Sequence, residues 1–262
     1  GGPEEAPCTS TPKNRREVLS RVMGVFDPIG AVSPFVVLGK KINQKLCGMR
    51  YDWDAPLPEG ILAEVEKWYD QLPKISLLSI PRSFSLLSPN QAVTLHVFVD
   101  ASWIAYGCVA YFVHEENKHV VWVSSRSRVS PEKETNVDVG GSTPRIELQA
   151  AVTGIVLATQ IQEEIAVAIS RKVFHTDSTT VYWWIQNREA KYKVFVANRL
   201  NKIHLASSPT EWHHVPTDEN PADVVSRGAM PDEEEAWTLF YQGPKFLRLP
   251  EEEWPPLPAC EA

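Results

Sequence analysis

Two aspartates that close apolar, strand-like runs constrain this chain more than any other feature. The run Leu95-His96-Val97-Phe98-Val99 ends in Asp100, and Val173-Phe174-His175-Thr176 ends in Asp177. Short apolar runs rich in β-branched and aromatic residues, bounded by turn residues, read as buried strands. A carboxylate carried into such surroundings is expensive without a partner. Mixed sheets with flanking helices present their sites at the carboxyl ends of strands. Taken alone, Asp177-Ser178 also reads as a strand-to-helix turn. Two such acids in one chain give the functional reading its first support.

The pattern around them predicts the order βββαβααβα. Val93–Val99, Ala105–Val113 and His119–Ser124 read as an antiparallel meander. Residues 126–143 read as a long polar loop ending Gly140-Gly141-Ser142, and Thr143-Pro144 opens a helix to about Ile161. Lys172–His175 is a strand, Ser178 starts a helix to about Gln186, and Val194–Leu205 is another helix. Glu211–Val215 reads as a strand and Pro221–Ser226 as a short helix. This order gives a mixed α/β sheet and not a doubly wound one. Upstream, Ser33-Pro34 is a helix-start signal, followed by Phe35, Leu38, Ile42, Leu46 and Met49 at helical spacing. Ile61, Val65, Trp68 and Leu72 repeat that spacing. Residues 15–90 therefore read as a small, mostly helical domain closed by the Pro81–Pro89 stretch, with residues 1–14 as a flexible lead.

Charge becomes informative once it is located. The 262 residues carry 26 Lys plus Arg against 33 Asp plus Glu, a net charge of −7. Residues 231–262 hold eight of the acids and two of the bases, so the preceding body is nearly neutral. That acidic, Pro-rich tail reads as a solvated linker, with Trp237, Phe240, Tyr241, Phe246 and Trp254 marking parts that dock. A near-neutral body argues mildly against strong autonomous binding of nucleic acid, which needs clustered Lys and Arg. Lys191, Lys193, Arg199 and Lys202 form a modest basic stretch, and Arg126 and Arg128 a shorter one; both fit a substrate groove or a solvated face. Cys8, Cys47, Cys108 and Cys260 form no CxxC pair, which fits isolated thiols in a reducing compartment. No apolar run reaches the ~18 residues of a membrane span, and no secretory signal pattern is visible, so a cytoplasmic, non-secreted protein is expected. Gly1, with the first methionine at Met23, fits an internal piece of a longer polyprotein, or a processed or engineered piece.

Two more acids complete a candidate set. Glu147 falls in the first turn of the Pro144 helix, and Asp223 follows Asn220-Pro221-Ala222 at the start of the last helix. The helix dipole alone also explains acids at these places. Ala150 and Ala151 follow Glu147 at the spacing that lets a helix approach a sheet closely. Were two strand ends and two helix starts to converge, four carboxylates would repel one another unless cations intervened. Hard divalent ions with oxygen ligands, Mg²⁺ above all, are the natural answer. Two such ions about 3.5–4 Å apart stabilise both attacking and leaving oxygens in phosphodiester cleavage.

The residues around these acids carry a resemblance. Val99-Asp100-Ala101-Ser102 with Gly107, Pro144-Arg145-Ile146-Glu147-Leu148-Gln149-Ala150-Ala151, His175-Thr176-Asp177-Ser178 and His214 through Asp223 resemble a ribonuclease H domain. More narrowly, the chain resembles the ribonuclease H region of LTR-retrotransposon polyproteins of BEL/Pao type. Val25-Phe26-Asp27-Pro28-Ile29-Gly30 and Ile80-Pro81-Arg82 resemble the connection segment before that domain, and Gly243-Pro244-Lys245-Phe246-Leu247 with Trp254-Pro255 resembles the stretch toward integrase. The resemblance spans roughly residues 15–256. It implies a ribonuclease H-like five-stranded mixed sheet flanked by helices over residues 91–230, preceded by the helical connection domain. It further implies metal-dependent hydrolysis of the RNA strand of RNA–DNA hybrids, with two Mg²⁺ ions or Mn²⁺ in their place. Asp100, Glu147, Asp177 and Asp223 match the family's catalytic, metal-binding acids. Ser102, Arg145, Ser178 and Asn220 are candidate nucleic-acid contacts. Implied partners are the hybrid, the polymerase part of the same reverse transcriptase and the integrase region downstream, in cytoplasmic retroelement particles and without a membrane. One departure stands out: cellular ribonucleases H carry a mobile-loop His before the last acid, and Pro216-Thr217-Asp218-Glu219 has none.

Other readings remain open at this level. Ser178 and Asn220 also fit helix caps, and Arg145 a solvated helix start. His213 and His214 point to opposite faces of a strand and cannot readily chelate one ion. Trp103, Trp183 and Trp184 fit either base stacking or packing. The rival to an enzyme is a non-catalytic scaffold or interaction module descended from one. A third reading is a different nuclease on the same fold, separable by substrate preference.

Overall fold

The computed structural model describes residues 10–78, 92–131 and 144–257. The chain starts with three helices, α1 (Arg15–Gly24), α2 (Ser33–Gly48) and α3 (Glu59–Gln71). Asn14 caps α1 by accepting from the Glu17 amide, and Pro34 sits in the first turn of α2. A meander follows: β1 (Val93–Ala101), β2 (Ala105–His114) and β3 (Val120–Val129). Then come α4 (Pro144–Glu164), β4 (Ile169–Thr176), α5 (Thr179–Gln186), α6 (Val194–Ala206), β5 (Trp212–His214), α7 (Pro221–Arg227) and α8 (Glu234–Gln242).

The five strands form one mixed sheet in the order β3-β2-β1-β4-β5. β1 runs antiparallel to β2 and parallel to β4, and β4 runs parallel to β5. In the β1–β4 register Val99 lies opposite Thr176, so the next residues, Asp100 and Asp177, leave adjacent strands at the same end. The period-2 alternation of β1 splits its side chains between two cores. Leu95, Val97 and Val99 join Ala110, Phe112, Leu148, Ile155 and Phe174 under α4, α5 and α6. Phe98 joins Tyr111, Trp122, Phe35, Trp68, Val225 and Phe240 on the opposite face. α4 lies close to β1: a Cβ on Gly154 would come within 2.5 Å of Val99 Cγ1.

Three expectations change. First, the Arg126 and Arg128 region is strand and not loop. β3 continues to Val129 because Arg126 pairs with Cys108 and Arg128 with Tyr106. The rest of the expected loop, with Gly140-Gly141-Ser142, lies outside the described residues. Second, α1–α3 share one buried cluster with the sheet's second face, α7 and α8. The Ser33 and Ser125 hydroxyls, 2.6 Å apart, join α2 to β3 inside it. Third, residues 231–257 are not a solvated linker. Trp237, Phe240, Phe246 and Leu247 are buried against the second face, and Tyr111 donates to the Phe240 carbonyl at 2.5 Å. The acids of this segment face water while its aromatics face the sheet, a division that net charge conceals.

Cys47 and Cys108 are free thiols. Cys8, Cys260 and Ile80-Pro81-Arg82 lie outside the described residues. No helix among the described residues is long and apolar enough to cross a membrane.

Candidate active site

The carboxyl ends of β1 and β4 and the first turns of α4 and α7 meet at one cavity of about 360 Å³. Asp100, Glu147, Asp177 and Asp223 all line it, together with Ser102, Trp103, Ser178, Thr217 and Arg227. Each acid arrives by a different route. Asp100 is the penultimate residue of the central strand and is only 8% exposed. Asp177 follows β4, and its carbonyl lies 3.2 Å from His214 Nε2, so the end of β5 holds that backbone. Glu147 projects from the first turn of α4, whose close approach to β1 sets its place. Asp223 comes from α7, which is capped by Asn220.

Three of the four carboxylates rest on a protein donor. Ser226 Oγ donates to Asp100 Oδ2, and Ser178 Oγ donates to Glu147 Oε2. Arg227 Nε donates to Asp223 Oδ1 at 2.5 Å, one helical turn along α7. Burial pushes the Asp100 carboxyl well above the usual carboxylate range, and the negative charges of Asp177 and Asp223 push the same way. Burial also raises Asp223, an effect opposed by Arg227. Raised carboxyls in a cleft, here Asp100 and Asp223, are one signature of a candidate functional site.

Among the described residues, no three His, Cys, Asp or Glu side chains stand close enough together to hold a metal ion. The donor set nonetheless fits hard divalent cations. It is all carboxylate oxygen around a single cavity, and like charges there lack sufficient counter-charge.

The nucleic-acid candidates fare unevenly. Ser178 lines the cavity, but its hydroxyl also accepts from the Val181 amide, capping α5. Ser102 donates to the Ser226 carbonyl at 2.7 Å and accepts from the amides of Ile104 and Ala105, so it closes the β1–β2 turn. Asn220 is fully buried: it accepts from the Ala222 amide and donates to the Val99 carbonyl at 3.2 Å. A side chain without exposure does not touch a duplex; Asn220 is the helix cap that its position before Pro221 favours, and it ties α7 to β1. Arg145 is exposed and lies over the Phe195 ring at 4.0 Å, outside the cavity lining. Arg199 of the basic stretch also covers Phe195, at 3.4 Å, and donates to Gln149. His213 and His214 diverge as their strand positions require: His213 faces Glu251 and His214 faces the Asp177 carbonyl. Trp103 reaches the cavity, while Trp184 packs on Tyr192.

Ser226, Arg227 and Thr217 had no functional reading in the sequence. Ser226 and Arg227 follow Asp223 at i+3 and i+4, the spacing of side-chain neighbours on a helix. That spacing was the available signal.

Residues 14–178 match the family described as Pao retrotransposon-like RNaseH-like domain. No curated protein matches the chain. Among solved structures, the chain is similar to RNase H1 of the halophilic archaeon Halobacterium salinarum, at 10% identity and TM-score 0.33, over 52% of this chain and 91% of that one. It is similar to the N-terminal RNase H domain of a Mycobacterium tuberculosis protein at 10% identity and TM-score 0.35, over 56% of this chain and 94% of that one. It is also similar to a foamy viral protease-reverse transcriptase solved with an RNA/DNA hybrid, at 11% identity and TM-score 0.43. That match covers 80% of this chain but only 25% of the viral one.

Proposed function

The chain belongs to the Pao retrotransposon-like RNaseH-like domain family, and we propose that it is a metal-dependent endonuclease that hydrolyses the RNA strand of RNA–DNA hybrids during retroelement reverse transcription. The observation that carries this reading is the convergence of Asp100, Glu147, Asp177 and Asp223 on one cavity.

In this reading the four carboxylates hold two divalent cations, Mg²⁺ or Mn²⁺. When bound, the cations supply Lewis-acid activation of the phosphodiester and its attacking water. The chain's own residues position the carboxylates. Ser226 orients Asp100, Ser178 orients Glu147, and the Asp177 backbone is held through His214. Arg227 pairs with Asp223 at the rim, where it also offers the cavity lining a cation for a phosphate oxygen. An A-like hybrid would be recognised by backbone shape and 2′-hydroxyls, so cleavage would be largely independent of sequence. The near-neutral body makes the polymerase part of the same reverse transcriptase the main source of hybrid affinity, within cytoplasmic particles. The integrase region downstream is a further candidate partner.

The scaffold reading has one observation on its side: three carboxylates already rest on protein donors. One experiment separates the two. A labelled RNA–DNA hybrid is incubated with the chain, in Mg²⁺ or Mn²⁺, beside Asp177→Asn, which is nearly isosteric but lacks a ligand charge. Metal-dependent RNA cleavage by the chain and not by the variant supports the nuclease. No cleavage with excess protein, and no heat of Mn²⁺ binding by calorimetry, supports the scaffold.

A further inference from the structure

A second cavity lies beside the first, on the far side of the turn Thr217–Glu219. It is a groove of about 1160 Å³ between that turn, α8 and the segment after it. Thr217 lines the carboxylate cavity, whereas Pro216, Asp218 and Glu219 line the groove. The turn is therefore a thin wall between the two.

The groove has an apolar floor and an acidic rim. Leu239, Phe246, Leu249 and Trp254 form the floor, and Leu249 is 39% exposed. Four prolines stiffen its sides. Five carboxylates line it (Asp218, Glu219, Glu234, Glu235 and Glu253) against two cations, Lys245 and Arg248. Arg248 is already committed to the carbonyls of Gln242 and Pro244. No ion pair among the described residues engages the five carboxylates. Net negative potential over an apolar concavity repels nucleic-acid phosphate and attracts the opposite charge. The volume exceeds the ~300–1,000 Å³ usual for small-molecule pockets.

We propose that this groove docks a basic peptide segment of a protein partner, with one apolar side chain seated on Trp254 and Leu249 and flanking Lys or Arg side chains against the acidic rim. A segment seated there presses on the turn whose other side lines the carboxylate cavity. The inference does not depend on nuclease activity.

The test uses the full chain and a panel of fluorescein-labelled peptides in which Leu, Phe or Trp sits between Lys-rich flanks. A control peptide carries Gly in place of the apolar residue. Fluorescence polarisation is read at low and at physiological salt. At least one anchored peptide is expected to bind saturably, at least about tenfold more tightly than the Gly control. The double variant E234K/E235K, with both changes at exposed positions, should weaken it by about tenfold or more, and Leu249→Asp should abolish the advantage of the anchor. Circular dichroism of each variant checks that it is folded. Failure of every peptide to bind overturns the proposal. So do equal binding of the Gly control and indifference to E234K/E235K.

Discussion

Ser226 Oγ donates to Asp100 Oδ2 across 126 residues of sequence, fastening α7 to the end of the central strand. The Ser226 carbonyl accepts from Ser102 in turn, and its hydroxyl also reaches the Asp223 carbonyl at 3.1 Å. One small side chain thus sets the relation between two of the four proposed metal ligands.

Ser226→Ala is expected to leave a buried Asp100 oxygen without its donor. Stability should fall by about 1–3 kcal/mol, the usual consequence of orphaning a buried acceptor. Hybrid cleavage, or Mn²⁺ affinity by calorimetry, should fall by about 10–100-fold, the range for residues that orient metal ligands. Unchanged affinity and activity would show that Asp100 is held in place without Ser226.

Arg227→Ala should act in the opposite direction on metal binding. Arg227 is 64% exposed and pairs with Asp223, so in the proposed metal site it would compete with the cation for that carboxylate. An exposed pair contributes at most about 1 kcal/mol, so the Mg²⁺ midpoint should fall by about two- to fivefold, with little change in urea stability. A weaker midpoint would mean that Arg227 organises Asp223 more than it competes.

Removing residues 231–262 separates a linker from a structural element. Trp237, Phe240, Phe246 and Leu247 are each at most 4% exposed. Burying a side chain of this size stabilises by about 1.5–3 kcal/mol, so losing four rivals the ~5–15 kcal/mol of a whole domain. The truncated chain is expected to aggregate or to lose its near-ultraviolet circular dichroism. A soluble chain with native dichroism would return this segment to the status of a linker.

The acid limb of stability should carry one proton from His96. Burial holds its pKa down at about 3, and His213 and Arg171 push the same way. His96 is 2% exposed, 3.0 Å from His175 through Nδ1, with Trp254 edge-on. The folded chain keeps it neutral, whereas the unfolded chain protonates it below about pH 6.5. Its contribution is therefore complete above that pH and declines as pH falls toward 3. The loss is about 1.4 kcal/mol per pH unit, or about 2 kcal/mol by pH 5. Urea unfolding of His96→Phe between pH 6.5 and 5 should show a slope shallower by about one proton; an equal slope would place the titration elsewhere.

Much of this was written in local sequence, because period and caps are local. The apolar run of β1, the Pro144 start of α4, the Ser178 cap of α5 and the placement of the four acids near element ends all follow from residues within a few positions. The order βββαβααβα and the membership of one sheet were legible for the same reason. Tertiary structure alone decided which partners meet. The Ser226–Asp100 bond joins residues 126 apart, and no local rule pairs them. It decided that α1–α3 and residues 231–257 cover the sheet's second face, since Phe98, Tyr111 and Trp122 need an apolar cover that only distant segments supply. It also decided that the Asn220 cap is fully buried, because burial depends on where α7 docks and not on the residue itself.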